Sequence, residues 1–182
     1  MIFETLETKR LILRKLTDEV YQYLLNNCSD AEIMEHLGIK TAEELANEKE
    51  KIKQSYTSYG KTLLLFQLID KETNTVIGWC GYHTWYTKHF RAEIGYVLSE
   101  EQFKAKGLMT EALKRIIEYG FNNMNLNRIE AFVGKDNVPS LKLMENFGFK
   151  QEGILKEHYN NNGVLEDSLL FALLKNNYPF NV

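Results

Sequence analysis

Cysteine is scarce in this chain of 182 residues, which contains only Cys28 and Cys80. They fall in a predicted helix and a predicted strand without the spacing of a disulfide framework, which favours a reduced, cytosolic setting. A surplus of positive charge is also missing, because 22 Lys and Arg stand against 25 Asp and Glu, for a formal net charge of −3. Nucleic acid and anionic membrane are therefore not expected as main partners.

Long apolar runs are missing as well. No stretch approaches the roughly 20 residues of a membrane-spanning helix, and residues 1–4 lack the pattern of a signal peptide, so no membrane association is expected. There are four histidines, and none stands in a cluster with metal-ligand spacing. Cys80 and His83 are three apart in a predicted strand, where they would face opposite sides of the sheet. The sequence therefore predicts no metal site.

The composition that is present is ordinary globular material, 44% hydrophobic and 26% charged, and its length suits a single domain over residues 1–182. Alternation predicts strands over 10–16, 62–69, 76–86, 92–98, 128–133, 149–159 and 164–175. Helical spacing and caps predict helices over 17–27, 41–59, 107–122 and 137–148, with a short helical turn at 29–36. The predicted fold class is α+β, with one mixed, mostly antiparallel sheet.

Local signals refine this order of elements. The strand, helix and strand between 92 and 133 predict a right-handed crossover joining two parallel strands. Asn162 followed by Gly163 predicts a tight hairpin turn between the last two strands. Gly78 and Gly81 inside a predicted strand indicate a bulge or a close backbone approach. Asn137 is a candidate helix N-cap.

The most informative stretch runs from Glu93 to Leu113 and predicts a strand, a short basic loop and an amphipathic helix. The loop, residues 103–109, carries two lysines and one glycine, Gly107. Where a loop turns into a helix, unpaired backbone N–H groups and the positive end of the helix dipole suit a phosphate or pyrophosphate. Walker spacing and the dinucleotide glycine pattern are both absent. On its own, this stretch is also compatible with a plain connection.

Further patterns occur in register with this loop. They are RAEIGY at 91–96 leading into KAKGLMTEAL at 104–113, LNRI at 126–129 followed by Asn137-x-x-Ser140 and Phe147-Gly148-Phe149, and a closing hairpin from Glu152-Gly153 through Asn162-Gly163 to Glu166-Asp167. Together they resemble the GNAT (GCN5-related N-acetyltransferase) superfamily, and most of all its ribosomal-protein N-terminal acetyltransferase branch. The resemblance covers nearly the whole chain. It implies a sheet of about seven strands, with splayed parallel strands at its centre, flanked by about four helices.

The resemblance also implies acetyl-CoA as the acetyl donor. The family's loop pattern, Gln/Arg-x-x-Gly-x-Gly/Ala, falls on residues 104–109, where Lys104 retains a cation, Gly107 matches and Met109 replaces a small residue. The pantetheine arm would lie between the strands at 92–98 and 128–133 and pair with backbone groups as an added strand does. The implied acetyl-CoA contacts are Val97, Leu98, Lys104, Ala105, Lys106, Gly107, Leu108, Met109, Thr110 and Asn137.

The implied reaction is direct transfer of acetyl from the thioester to an amine, which needs a neutral amine and a proton source for the leaving thiolate. Glu93 is the candidate base, acting through a water molecule, and Ser140 is the candidate proton donor. Plainer interpretations remain, since Glu93 could instead form a salt bridge with Arg91 or another surface cation, and Ser140 could be an ordinary first-turn serine. Asn137 could serve only as a cap. Met144 stands where other branches have a catalytic tyrosine, which disfavours those branches.

The acceptor implied by this branch is a protein N-terminus. At pH 7 roughly one α-amino group in seven is neutral for a pKa near 7.8, against roughly one lysine-type amine in 2,500 for a pKa near 10.4. The alternatives are a small amine (an amino acid, polyamine or aminoglycoside), a non-catalytic acyl-CoA-binding domain, and an unrelated anion-binding domain. Residues 31–58 and the turn at 159–164 would set the acceptor, with Tyr96, Tyr159 and Asp167 as candidates to shape its pocket. A monomer or a homodimer is expected.

Overall fold

The computed structural model describes residues 3–55 and 61–180, which form one sheet and the helices that flank it. The strands are β1 (Thr5–Glu7), β2 (Leu11–Thr17), β3 (Lys61–Asp70), β4 (Thr75–Tyr86), β5 (Arg91–Leu98), β6 (Arg128–Gly134), β7 (Lys150–Asn161) and β8 (Val164–Leu174). The helices are α1 (Asp18–Asn27), α2 (Asp30–Leu37), α3 (Ala42–Ser55), α4 (Leu108–Asn122) and α5 (Val138–Asn146). Every predicted strand and helix is therefore present in the described residues, within a few residues at each end, except that residues 56–59 of the predicted helix at 41–59 lie outside the described residues.

The strands form one sheet in the order β1-β2-β3-β4-β5-β6-β8-β7. Its pairings are antiparallel except for β5 with β6, which is parallel and joined through α4 as predicted. The sheet has eight strands rather than about seven, because the short edge strand β1 pairs with β2. The described residues contain five α-helices rather than about four, since the short turn at 29–36 is a full helix that begins with a capping box between Ser29 and Glu32.

The two central strands separate shortly after they meet. β5 and β6 pair only over Arg91–Glu93 and Arg128–Glu130, and beyond these residues they diverge. On one side of the sheet, α4 buries Ala112, Leu113, Ile116 and Ile117 completely in the main core. Burial of an Ile or Leu side chain contributes about 1.5–3 kcal/mol, so this stripe fixes α4 firmly on the sheet. The opening of the cleft between β5 and β6 is thus set by a rigid frame.

The predicted irregularity in β4 occurs at both glycines and also at a third position. The pairing with β3 shifts next to Gly78, and a Cβ at Gly81 would lie 2.6 Å from the Leu64 carbonyl oxygen, so both expectations are confirmed. A further bulge was not predicted. Tyr82 pairs with Ile94 and Thr84 with Glu93, which leaves His83 as an extra residue between them.

The turn signals are confirmed. Asn162 and Gly163 both have positive φ, 51° and 90°, and connect β7 to β8 as a tight turn. Gly148, with φ of 77°, follows α5.

No helix among residues 3–55 and 61–180 is long and apolar enough to cross a membrane. The same described residues contain no group of three or more His, Cys, Asp or Glu that could hold a metal ion.

Candidate active site

A cleft of about 560 Å³ lies where β5 ends and the first turns of α4 and α5 converge. We call it the loop cleft. Of the residues predicted to contact acetyl-CoA, it is lined by Val97, Leu98, Lys104, Ala105, Gly107, Leu108, Met109, Thr110 and Asn137. Tyr96 and Ser140 also line it, whereas Lys106 does not. The fold therefore brings together residues that are up to about 40 positions apart in the sequence.

The N-terminus of α4 forms one wall of the loop cleft and is suited to an anion. Gly107 is its N-cap, in the left-handed conformation with φ of 74°, and within residues 3–55 and 61–180 no side chain caps the first turn. The other helices differ in this respect, since Thr17, Ser29, Thr41 and Asn137 cap α1, α2, α3 and α5 with side-chain oxygens. The first-turn N–H groups of α4 and its dipole thus remain available for the phosphates of coenzyme A.

Met109, the departure from the expected loop pattern, is accommodated by the core. Its side chain is 8% exposed and packs in the main hydrophobic cluster below the cleft. A small residue is required only if the side chain at this position faces the ligand. Because the Met109 side chain instead points largely into the core, its backbone N–H keeps its place in the first turn of α4.

The two lysines of the loop make different contacts, one through its side chain and the other through its backbone. Lys104 lines the cleft and forms an ion pair with Glu101, so part of its charge is already neutralised. The backbone carbonyl of Lys106 accepts a hydrogen bond of 2.9 Å from Nη1 of Arg10. Arg10 also donates from Nε to Glu111 in the first turn of α4, at 2.8 Å. This brace from the start of the chain was not predicted, because its partners are about 100 residues apart.

A second cleft, of about 340 Å³, lies between the diverging ends of β5 and β6 and is here called the strand cleft. Glu93, Gly95 and Tyr96 line it from β5, and β6 contributes residues 131–134. Tyr159 and Asp167, which were predicted near the acceptor, line it from the closing hairpin. The strand cleft shares Tyr96, Asn137 and Ser140 with the loop cleft, so the two clefts meet at these three residues.

Glu93 lies in the strand cleft with only 23% of its side chain exposed. Burial, and next the nearby charge of Glu130, raise the pKa of Glu93 to about 7, although Thr84, Arg91 and Lys61 act in the opposite direction. Glu93 is thus poised to exchange a proton near neutral pH. The alternative salt bridge with Arg91 is not formed, because Arg91 donates to Glu130 at 2.6 Å.

Ser140 occupies the junction of the two clefts and is 9% exposed. Its backbone N–H donates to Oδ1 of Asn137 at 3.2 Å, which confirms Asn137 as the cap of α5. Tyr96 faces the same junction, and its buried hydroxyl lies near Ser140 without a well-formed hydrogen bond in the part of the chain that the structure describes. Burial raises the pKa of Tyr96 and outweighs the opposite effect of Ser140, so its hydroxyl keeps its proton. Met144 is fully buried in the core.

Sequence patterns did not reveal His83 as a site residue. Its Nε2 lies 3.3 Å from Oε1 of Glu93, and its ring lines the strand cleft. The only signal was the histidine itself in a predicted strand, where regular alternation gives no reason to place it beside Glu93. The β4 bulge, which has no distinct sequence signature at this position, brings the two side chains together.

Residues 10–150 match the family model of the acetyltransferase (GNAT) domain. Over 176 residues, 96% of this chain and 98% of its relative, the sequence is 38% identical to an uncharacterised N-acetyltransferase, p20, of Bacillus licheniformis. Many solved structures share the fold, and two are informative here. One is RimL, a ribosomal α-N-protein acetyltransferase in complex with coenzyme A, at a TM-score of 0.69 and 20% identity, covering 94% of this chain and 98% of that one.

The other solved structure is a spermidine/spermine N-acetyltransferase of Vibrio cholerae, at a TM-score of 0.67 and 21% identity, covering 93% of this chain and 96% of that one. GNAT acetyltransferases use acetyl-CoA, and the loop cleft offers the uncapped helix end that its phosphates need. The family match excludes an unrelated anion-binding domain. With its catalytic-domain match and full-length similarity to an N-acetyltransferase, the chain belongs to the GNAT family and is an N-acetyltransferase that uses acetyl-CoA.

Proposed function

We propose that this enzyme acetylates the α-amino group of a protein N-terminus. Acetyl-CoA lies in the loop cleft, and the acceptor amine lies in the strand cleft. The observation that carries the proposal is the meeting of the two clefts at Tyr96, Asn137 and Ser140, with Glu93 lining only the strand cleft. This arrangement places a base on the amine side and a hydroxyl donor at the junction, as direct transfer requires.

Different groups of the chain bind acetyl-CoA and transfer the protons. Acetyl-CoA supplies the acetyl group as a reactive thioester. The first-turn N–H groups of α4 hold the phosphates, and the backbone of β5 beyond Glu93, which β6 no longer pairs, is free to hydrogen-bond the pantetheine arm. Glu93 removes a proton from the ammonium through a water molecule, and the neutral amine attacks the thioester carbonyl carbon, so that the C–N bond forms and the C–S bond breaks. Ser140 donates its hydroxyl proton to the departing thiolate and regains a proton from the second one that the acylated nitrogen loses.

The shape beyond the strand cleft supports a peptide-length acceptor. A further cleft of about 780 Å³ adjoins it and shares Gly134, Asn137, Glu166 and Asp167. The two clefts together offer room for residues that follow the reacting amine, whereas a small amine would need one closed pocket. An α-amine also demands less of a base whose pKa is only about 7 than a lysine-type amine does.

A polyamine is the second candidate acceptor, because the same region is acidic. Asp136 and Glu157 line the adjoining cleft together with Glu166 and Asp167. Such a surface attracts a cation, and one of the structural relatives acts on spermidine and spermine. The Lys156 ion pair with Asp167 already neutralises part of this charge, which favours the N-terminus over the polyamine.

A thiol-release assay with acetyl-CoA tests the acceptor directly. The panel comprises peptides with free N-termini, the same peptides with blocked N-termini but a free lysine, and spermidine. We expect turnover with the free N-terminal peptides and none with their blocked forms. Turnover with spermidine alone would replace this proposal with the polyamine reading. If acetyl-CoA raises the melting temperature of the protein but no amine causes thiol release, both the N-terminal and the polyamine proposals are wrong.

Replacing Ser140 with alanine tests its role as proton donor. We expect kcat to fall by about 10- to 100-fold, at the lower end of general-acid effects because water can partly replace the hydroxyl. The KM for the acceptor should change little, since the backbone N–H of residue 140, which donates to the Asn137 cap of α5, is retained. The substitution removes one oxygen and leaves Asn137 in place, so stability is a suitable control. Unchanged kcat in S140A would assign the proton to another group.

A further inference from the structure

The position of His83 depends on two features of the sheet beside the strand cleft. The bulge on β4 inserts His83 opposite the boundary between Glu93 and Ile94, which turns its ring toward Glu93. Gly95 then leaves room for that ring, because a Cβ at this position would lie 2.7 Å from Cδ2 and 3.0 Å from Nε2 of His83. A side chain at position 95 would therefore push the imidazole away from the carboxylate.

The contacts of the ring fix its hydrogen-bonding role. Nε2 of His83 lies 3.3 Å from Oε1 of Glu93, and Nδ1 lies 3.3 Å from Oγ1 of Thr84. Desolvation lowers the pKa of His83, so the ring is neutral at pH 7 and carries a single N–H. The tautomer with its N–H on Nε2 brings that N–H, rather than a lone pair, to the ionised carboxylate oxygen 3.3 Å away, and Thr84 lies beside both groups.

We propose that His83 is a positioning residue for Glu93, donating a hydrogen bond from Nε2–H that holds the ionised carboxylate toward the acceptor. This inference rests on the proposed function, in which Glu93 is the base. The carboxylate would otherwise have several rotamers in a cleft that is partly open. One donor from a bulge on the neighbouring strand reduces them to the orientation that faces the amine.

Other charged groups near the pair do not provide the same hydrogen bond. Arg91 of β5 and Arg128 of β6 both donate to Glu130, and Lys61 of β3 lies close enough only to lower the pKa of Glu93. From β8, Glu166 and Asp167 line the same cleft but carry negative charge. From α3, Glu48 and Lys51 line the neighbouring cleft with His83 and pair with one another at 3.5 Å.

The test compares two variants of similar size. His83→Leu removes the donor, while His83→Gln replaces it with an amide N–H at about the same distance from the backbone. For H83L, we expect kcat at pH 7 to fall about tenfold and the acidic limb of the kcat–pH profile to move up by about one pH unit, because a donor to the ionised form is lost. H83Q should keep both close to wild type, and the KM for acetyl-CoA should be unchanged in both.

Every result of these measurements either supports or contradicts the positioning role of His83. If H83L leaves the limb in place, or if H83Q moves it as far as H83L does, the ring has only a packing role and the proposal is wrong. In the Glu93→Gln background, H83L should cause no additional loss of kcat, because the group it positions is gone. If Glu93→Gln itself retains full kcat, the base assignment fails instead, and this result is separate from the behaviour of the His83 variants.

Discussion

Glu93→Gln is expected to lower kcat by about 10²- to 10⁴-fold, the usual contribution of a positioned general base. Glutamine has nearly the same size and can still accept a hydrogen bond from His83, but it cannot take a proton from the ammonium. The strand cleft should therefore keep its shape and its affinity for the acceptor. Steady-state kinetics with saturating acetyl-CoA and an N-terminal peptide measure this loss.

The pH dependence of the same variant is equally diagnostic. Because only the ionised carboxylate can act as base, and the pKa of Glu93 is raised to about 7, wild-type kcat should rise with pH through a midpoint near 7. The variant should lack this limb. Charge alone is controlled by Glu145→Gln on α5, which removes the same charge from an exposed residue that lines neither cleft and should leave the profile unchanged.

Stability offers an independent reading of the Glu93 environment. The folded-state pKa lies above the unfolded value near 4.5, so the folded protein holds this proton more tightly. The resulting stability is present in full below about pH 4.5 and is lost as pH rises to about 7, to an extent of at most about 3 kcal/mol. Above pH 7, E93Q should thus be more stable than wild type in denaturant unfolding. Equal stability, together with a kcat within about threefold of wild type, would remove Glu93 from the mechanism.

Gly107→Val should raise the KM for acetyl-CoA by about tenfold or more while leaving kcat nearly unchanged. A β-branched residue does not tolerate the φ of 74° at the α4 N-cap, so the loop must leave its left-handed conformation. The first-turn N–H groups then no longer converge on the phosphates. Loss of a single charge-assisted hydrogen bond costs about 1.5–3 kcal/mol, which corresponds to at least a tenfold change in affinity.

Gly163→Val is the matched control for this loop. Gly163 also has positive φ, at 90°, and no described atom lies within 4 Å of a Cβ built there. A Cβ at Gly107 is similarly uncrowded, since its one neighbour among the described atoms is Arg10 Nη2 at 3.6 Å. Both variants should therefore lose similar stability through backbone strain. Only G107V should weaken the binding of acetyl-CoA. An equal KM for acetyl-CoA in the two variants would mean that the α4 N-terminus does not bind the phosphates.

The fold was accessible from the sequence because its signals are local. Alternation and helical spacing mark β2 to β8 and α1 to α5, and the Asn162-Gly163 turn fixes the closing hairpin. The edge strand β1 was missed, since three residues cannot show a period. Asn137 as a cap also followed from its own neighbours, because a capping side chain bonds only two or three residues ahead.

The candidate site was predicted less completely, because its chemistry depends on contacts between distant residues. Placing Glu93 on a strand before a basic loop followed from the pattern, but its pKa near 7 depends on burial and on Glu130 of the adjacent strand. Met109 departs from the loop pattern of the family, and only the structure shows that its side chain packs in the hydrophobic core. Tyr96 was assigned to the acceptor pocket, and only the divergence of β5 from β6 sets it at the junction with the loop cleft.

The sequence by itself thus determined the order of strands and helices and the cap at Asn137, since short-range backbone preferences encode them. It predicted an anion site at the Gly107 loop, and Glu93 and Ser140 became candidates through the resemblance to the GNAT family. The tertiary structure alone decided that Arg10 braces this loop, that the two clefts share an edge, and that His83 meets Glu93. The physical reason is register. A single extra residue in β4 changes which side chains become neighbours across the sheet, and that choice is made by the packing of whole strands rather than by any short segment.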